Sequence, residues 1–195
     1  NRLTIATNLL FNWLLDMATD KGIPYEKIDN DFVSSPELGL GPYLRWDYLG
    51  LDVICDVMNY FVEEISPEFA PGKTLTNLLK AGNLGRKSGK GIYEWFEGKP
   101  KISFHEKAGL FSLEHYFAIQ LNEGCRLLEE KIVSGYKVID DTMLAGMDMP
   151  GPFGVGKNNY EKWSQMLDDL SEFTGIAYFK PCNLMKSGNF LKMRK

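Results

Sequence analysis

The chain has 195 residues, 44% of them hydrophobic and 25% charged, the balance of an ordinary globular protein. Its 12 Phe, 9 Tyr and 4 Trp supply enough bulk for a packed core, which argues against disorder. The net charge of −4 lacks the basic surplus of a nucleic-acid footprint, and no apolar run approaches the roughly 20 residues that cross a bilayer.

In chain order, Leu3, Ala6, Leu9, Leu10, Trp13, Leu14 and Met17 keep helical spacing and predict an amphipathic helix over about 2–20, closed by Gly22. Gly41-Pro42 opens a second helical stretch, with proline suited to the first helical position. Leu51, Ile54, Val57, Met58 and Phe61 form a third apolar stripe that ends before Ser66-Pro67, and a short helix over about 74–81 stops at Gly82. Residues 85–91 read as a mobile basic loop, Ile92 to Phe96 as an extended aromatic stretch, and 97–111 as a linker. A long helix begins near Ser112 and carries Leu113, Phe117, Leu121, Cys125 and Leu128; further helices cover about 158–174 and 181–187, the last ending at Gly188. Strand signals are nearly absent, so the fold class is all-α.

The order of features repeats. Ile28-Asp29 returns as Ile139-Asp140, Gly41-Pro42-Tyr43 as Gly151-Pro152-Phe153, and Leu79-Lys80-Ala81-Gly82-Asn83-Leu84 as Met185-Lys186-Ser187-Gly188-Asn189-Phe190, at offsets of 111, 110 and 106 residues. Three anchors in one order imply two tandem helical units, residues 1–97 and 110–195 joined by a linker over 98–109, expected to pack on each other as a pseudo-dimer. The second lacks the Arg86–Trp95 tail.

Few residues offer chemistry. Cys55, Cys125 and Cys182 are scattered without a C-x-x-C pair, which disfavours a disulfide framework or zinc site and suits a reducing, cytoplasmic setting. His115 on a helix flank and His105 in the linker read as packed or surface residues, with no metal site expected. Gly151 to Asn158 imitates a phosphate loop but has Asn158 where Ser or Thr must ligate magnesium, and Gly72-Lys73-Thr74 has Pro67 where that motif needs glycine. Both read as structural. The pairs Glu63-Glu64, Glu129-Glu130 and Asp168-Asp169 read as solvated faces. Gly85-Arg86-Lys87-Ser88-Gly89-Lys90-Gly91 differs: three cations among glycines, with exposed amides, suit a phosphate or pyrophosphate, or else form a solvated basic turn.

Leu84 to Tyr93, with Gly41-Pro42-Tyr43-Leu44-Arg45-Trp46-Asp47-Tyr48-Leu49-Gly50-Leu51-Asp52, closely resembles the C-terminal region of the NAD-dependent (S)-3-hydroxyacyl-CoA dehydrogenases. Asn1-Arg2-Leu3 resembles the N-R-L start of that family's long helix, and Asn122 to Glu130 the N-E-A-x-R-x-x-E-E of a second copy. The resemblance spans almost the whole chain. Its two-copy form looks like the long, often bifunctional β-oxidation enzymes that join this dehydrogenase to an enoyl-CoA hydratase. It implies an N-terminal Rossmann domain that binds most of the NAD and holds the catalytic histidine and its glutamate; no G-x-G-x-x-G and no match for that pair occurs here. The chain therefore reads as a piece of a longer protein, a wall of an acyl-CoA site unable to turn over alone. The resemblance places Asn1 near the reacting acyl group and Lys87 on NAD, with Arg86 and Lys90 as weaker candidates. Two alternatives stand beside it: a helical interaction module that has lost the chemistry, and the helical domain of a dehydrogenase acting on sugars or carboxylates.

Overall fold

The computed structural model describes residues 1–33, 40–100 and 106–195. Among them, helices α1 (Arg2–Lys21), α2 (Tyr25–Val33), α3 (Pro42–Leu49), α4 (Leu51–Glu64) and α5 (Lys73–Lys80) are followed by a small hairpin, β1 (Trp95–Phe96) and β2 (Lys99–Pro100). Helices α6 (Leu113–Glu129), α7 (Lys137–Met147), α8 (Pro152–Gly156), α9 (Tyr160–Thr174) and α10 (Asn183–Ser187) complete the chain. The all-α expectation holds. The helices absent from the sequence reading are α2 and α7, and the segment that resembles a phosphate loop forms α8.

The chain divides into two compact units, Asn8–Ser112 and Asn1–Thr7 together with Leu113–Lys195. In the first, α3 packs on α2 and α4, and α4 on α5. Leu9, Leu10, Leu14, Phe32, Tyr43, Met58 and Phe69 are buried there. Tyr43 donates its hydroxyl to the Phe11 carbonyl at 3.0 Å, and Trp46 its indole N–H to Asn8 at 3.2 Å. In the second, α6 packs on α8, α9 and α10 around Leu121, Phe153, Trp163, Leu167, Phe179 and Phe190. Phe153 stacks on Tyr136 at 4.8 Å and meets Phe190 edge-on at 5.5 Å.

The repeated anchors have a physical meaning. A helix starts with N–H groups that lack intrahelical partners. Asp29 on α2 accepts from Tyr43 N and Leu44 N at 2.8 and 2.9 Å, and so caps α3. Asp140 on α7 accepts from Phe153 N and Gly154 N at 3.1 and 2.8 Å, and so caps α8. A Cβ at Gly41 would lie 2.4 Å from Asp29 Cγ, and one at Gly151 2.0 Å from Asp140 Oδ1, so each capping carboxylate requires its glycine. Gly82 and Gly188 end α5 and α10 at φ of +73° and +66°. A further matched pair joins them. Asn12 accepts from Gly72 N at 2.8 Å and donates to the Ala70 carbonyl, while Asn122 accepts from Cys182 N at 2.8 Å and donates to the Lys180 carbonyl.

Of the segment read as a linker, Glu97 and Gly98 form the tight turn of the hairpin, at φ of +48° and +75°. Residues from Glu106 onward dock on α2: Ala108 N donates to the Lys27 carbonyl at 3.0 Å, and Gly109 N to Asp31 at 2.9 Å.

Candidate functional site

Asp47 organises the segment from Gly85 to Trp95. It sits in α3 with no exposed surface and accepts Ile92 N at 2.8 Å, Tyr93 N at 2.9 Å and the Trp95 indole N–H at 2.9 Å. Burial pushes its carboxyl above the usual range while these three donors pull it back. Tyr93 in turn donates its hydroxyl to Asp29 at 2.7 Å, tying the tail to the α3 cap. The backbone fits tightly: a Cβ at Gly91 would lie 2.2 Å from Asp47 Oδ1, and one at Gly85, at φ of +95°, 2.3 Å from the Asp47 carbonyl oxygen.

On this foundation, Arg86–Ser88 forms a 3-10 turn rather than the mobile loop expected from composition. Ser88 Oγ accepts from Leu84 N at 2.8 Å and donates to the Lys90 carbonyl at 2.7 Å. The amides of Gly85, Ser88, Gly89, Gly91, Ile92 and Tyr93 all go to acceptors of the protein. These six donors are taken up by the fold, which leaves the cationic side chains as the prominent feature.

Lys87 is about half exposed and places Nζ 2.5 Å from both oxygens of Asp52, in the first turn of α4. That hydrogen bond holds the Asp52 carboxyl below its ordinary value. Gly50, at φ of +106°, leaves the space: a Cβ there would lie 2.9 Å from Lys87 Nζ. Arg86 lies over the exposed Tyr48 ring at 4.7 Å, and Lys90 pairs with Glu94 at 3.9 Å. The three cations point to three different partners, and Lys87 is the one framed by a carboxylate and a glycine.

Asn1 is exposed at the start of α1, its carbonyl accepting from Ile5 N and Thr4 Oγ1 at 2.9 Å each. The next residue, Arg2, is anchored on Glu123 at 2.5 Å and on Glu130. Glu123 is buried and also accepts from Arg126 at 3.1 Å and from the Tyr178 hydroxyl at 2.9 Å.

The other candidates resolve as structure. Lys73 N and Thr74 N donate to Asp16, so Gly72-Lys73-Thr74 is the start of α5. Glu129 caps α10 through Leu184 N, and Asp168 pairs with Lys186 at 3.2 Å, so these acidic residues do more than face solvent. Burial pushes His115 below the ordinary imidazole value, and His105 lies outside the described residues. Among the described residues no group of His, Cys, Asp and Glu could hold a metal ion, and no helix is long and apolar enough to cross a membrane. Sequence reasoning missed Asp47 and Asp52 as partners of the tail; both stand in the quoted G-P-Y…G-L-D stretch.

Residues 1–95 match the family model of the 3-hydroxyacyl-CoA dehydrogenase C-terminal domain. Over 180 residues, 83% of this chain, the sequence is 29% identical to the fatty acid oxidation complex subunit alpha of Vibrio cholerae serotype O1, in both its Classical Ogawa and El Tor Inaba strains. The chain spans about a quarter of the length of these curated relatives. The crystal structure of 3-hydroxybutyryl-CoA dehydrogenase from Escherichia coli K12 superposes with a TM-score of 0.74 at 18% identity, over 99% of this chain and 59% of that one, and so shares the fold. The likeness to the 3-hydroxyacyl-CoA dehydrogenase C-terminal domain thus covers residues 1–95, just under half of a chain whose described helices continue beyond it.

Proposed function

We propose that this chain is the helical substrate-binding and assembly portion of an enzyme that oxidises (S)-3-hydroxyacyl-CoA to 3-oxoacyl-CoA with NAD in fatty-acid β-oxidation. The observation that carries the reading is the Asp47-pinned turn that holds Lys87 beside Asp52, within the segment that matches the family. The domain match and the likeness to the fatty acid oxidation subunit support it.

NAD fits these residues at one edge only. Six amides of the tail are taken up by the fold, Lys87 offers a single cation, and the larger part of the cofactor belongs to a Rossmann domain supplied by the parent protein. Bound there, NAD would supply the hydride acceptor for the hydroxyl-bearing carbon. Lys87 presents a positive charge whose direction Asp52 fixes. Asn1 offers a neutral amide that can hydrogen-bond the substrate oxygen as its charge changes, with Arg2 holding the start of α1 through Glu123 and Glu130. The proton-accepting histidine and its glutamate lie elsewhere in the parent, so this chain alone is inactive. In this reading the repeats run over 1–97 and 110–195, the second serves assembly, a fused enoyl-CoA hydratase is a further partner, and the setting is cytoplasmic.

The test joins the chain to a Rossmann domain of this family and follows NADH absorbance with acetoacetyl-CoA. The joined protein turns over, Asn1→Ala lowers kcat, and the chain alone is silent. Robust turnover by the chain alone contradicts the division of labour. Correct folding of the joined protein without turnover favours an interaction module instead.

A further inference from the structure

Two of the three cysteines meet in the second unit. Cys125 lies fully buried on α6, and Cys182 stands half-buried immediately before α10. The asparagine clamp brings them together. Asn122 accepts from Cys182 N at 2.8 Å, and its backbone carbonyl lies 3.9 Å from Cys182 Sγ. Cys125 follows Asn122 by one helical turn, on the same face of α6. Cys182 Sγ therefore lies against the turn of α6 that carries Cys125, and each thiol perturbs the other. In the first unit the corresponding clamp joins Asn12 to Gly72, with Leu15 where α6 has Cys125. The clamp thus works without sulfur, and both thiols are additions to it.

We propose that Cys125 and Cys182 form a reversible dithiol–disulfide pair, a modification site that ties α6 to the segment ahead of α10. The Asn122 clamp holds the backbone of Cys182 on the turn of α6 that carries Cys125, which is the proximity a disulfide needs. The two thiols are also unequal. Cys182 is half-buried and its neighbour Cys125 holds its thiol below the ordinary value, whereas Cys125 is fully buried and is pushed up by Cys182 and by burial. Cys182 is therefore the attacking thiolate and Cys125 the resolving group.

The oxidant is a small disulfide of the glutathione class. Cys182 thiolate attacks one of its sulfurs; the protein–glutathione S–S bond forms, the glutathione S–S bond breaks, and one thiolate leaves. Cys125 passes its proton to that thiolate and attacks Cys182 Sγ; the Cys125–Cys182 bond forms and the second glutathione leaves as thiolate. Two protein thiols are oxidised and one small disulfide is reduced to two thiols. Cys55, alone on α4 with its thiol raised by burial, takes no part.

The folded 195-residue chain is treated with oxidised glutathione, and intact mass and peptide mapping are read. The expected product has lost two hydrogens, carries no glutathione, yields a Cys125–Cys182 cross-linked peptide and returns to starting mass with dithiothreitol. Cys55→Ser gives the same product, while Cys125→Ser stops at a persistent glutathione adduct on Cys182. A persistent Cys182 adduct in the unmodified chain, a bond to Cys55, or a cross-link that forms only in denaturant overturns the proposal.

Discussion

The two units share a clamp and differ in what stands on it. Asp47 in α3 corresponds to Lys157 just after α8. The first is wholly buried under the tail that it pins by three hydrogen bonds; the second is exposed. Asp29 and Asp140 both cap a helix, but only Asp29 also receives a tyrosine hydroxyl, from the tail. A carboxylate taken out of water needs donors to compensate it. With no such tail packed on it among the described residues, a buried Asp at position 157 would have none, and an exposed lysine costs nothing there. Lys87, the residue proposed to meet NAD, belongs to the tail of the first unit.

Several measurements break or sharpen this contrast. The largest effect is expected from Asp47→Ala, which strands three donors, two of them backbone amides; about 3 kcal/mol or more of stability is lost in denaturant unfolding, whereas Lys157→Ala stays within about 0.5 kcal/mol. Equal costs at the two sites break the comparison. Next, Asn12→Ala and Asn122→Ala each lose a shared clamp, at about 1–3 kcal/mol apiece, and the two values agree within a factor of about two if the clamp is the same device. A smaller effect distinguishes the caps by pH. Burial raises Asp29 to about 7 in the folded chain, above the unfolded value near 3.9, so its stabilising contribution is complete below about pH 4 and fades as pH rises through 7. The stability advantage of the unmodified chain over Asp29→Asn therefore shrinks between pH 4 and 8, read from paired thermal melts; a widening gap contradicts it. Lys87→Ala is the least perturbing, within about 0.5 kcal/mol, because the pair with Asp52 is solvent-exposed.

Much of this was legible in the sequence, and the omissions have physical causes. Helices α1, α4, α6 and α9 announce themselves by long apolar stripes. By contrast, α2 shows only Ile28 and Phe32 on its buried side, and α7 only Ile139 and Met143; helices of this length owe their stability to packing and capping rather than to periodicity. The capping aspartates stood in the repeat that was read, yet their role depends on glycines 12 and 11 residues downstream meeting their carboxylates in space. Composition made residues 85–91 a mobile anion loop because the residues that follow it, Ile92 and Tyr93, are pinned on Asp47, some 45 residues earlier. Lys87 was singled out through its motif alone; its pairing with Asp52 required the fold.

The most direct test of the account is the KM for NADH of the chain joined to a Rossmann domain, compared between Lys87→Ala and Lys157→Ala. The account predicts a rise of about tenfold or more for Lys87→Ala, the worth of one charge-assisted contact, with no change for Lys157→Ala. An unchanged KM in Lys87→Ala, in a protein that folds and turns over, would contradict it.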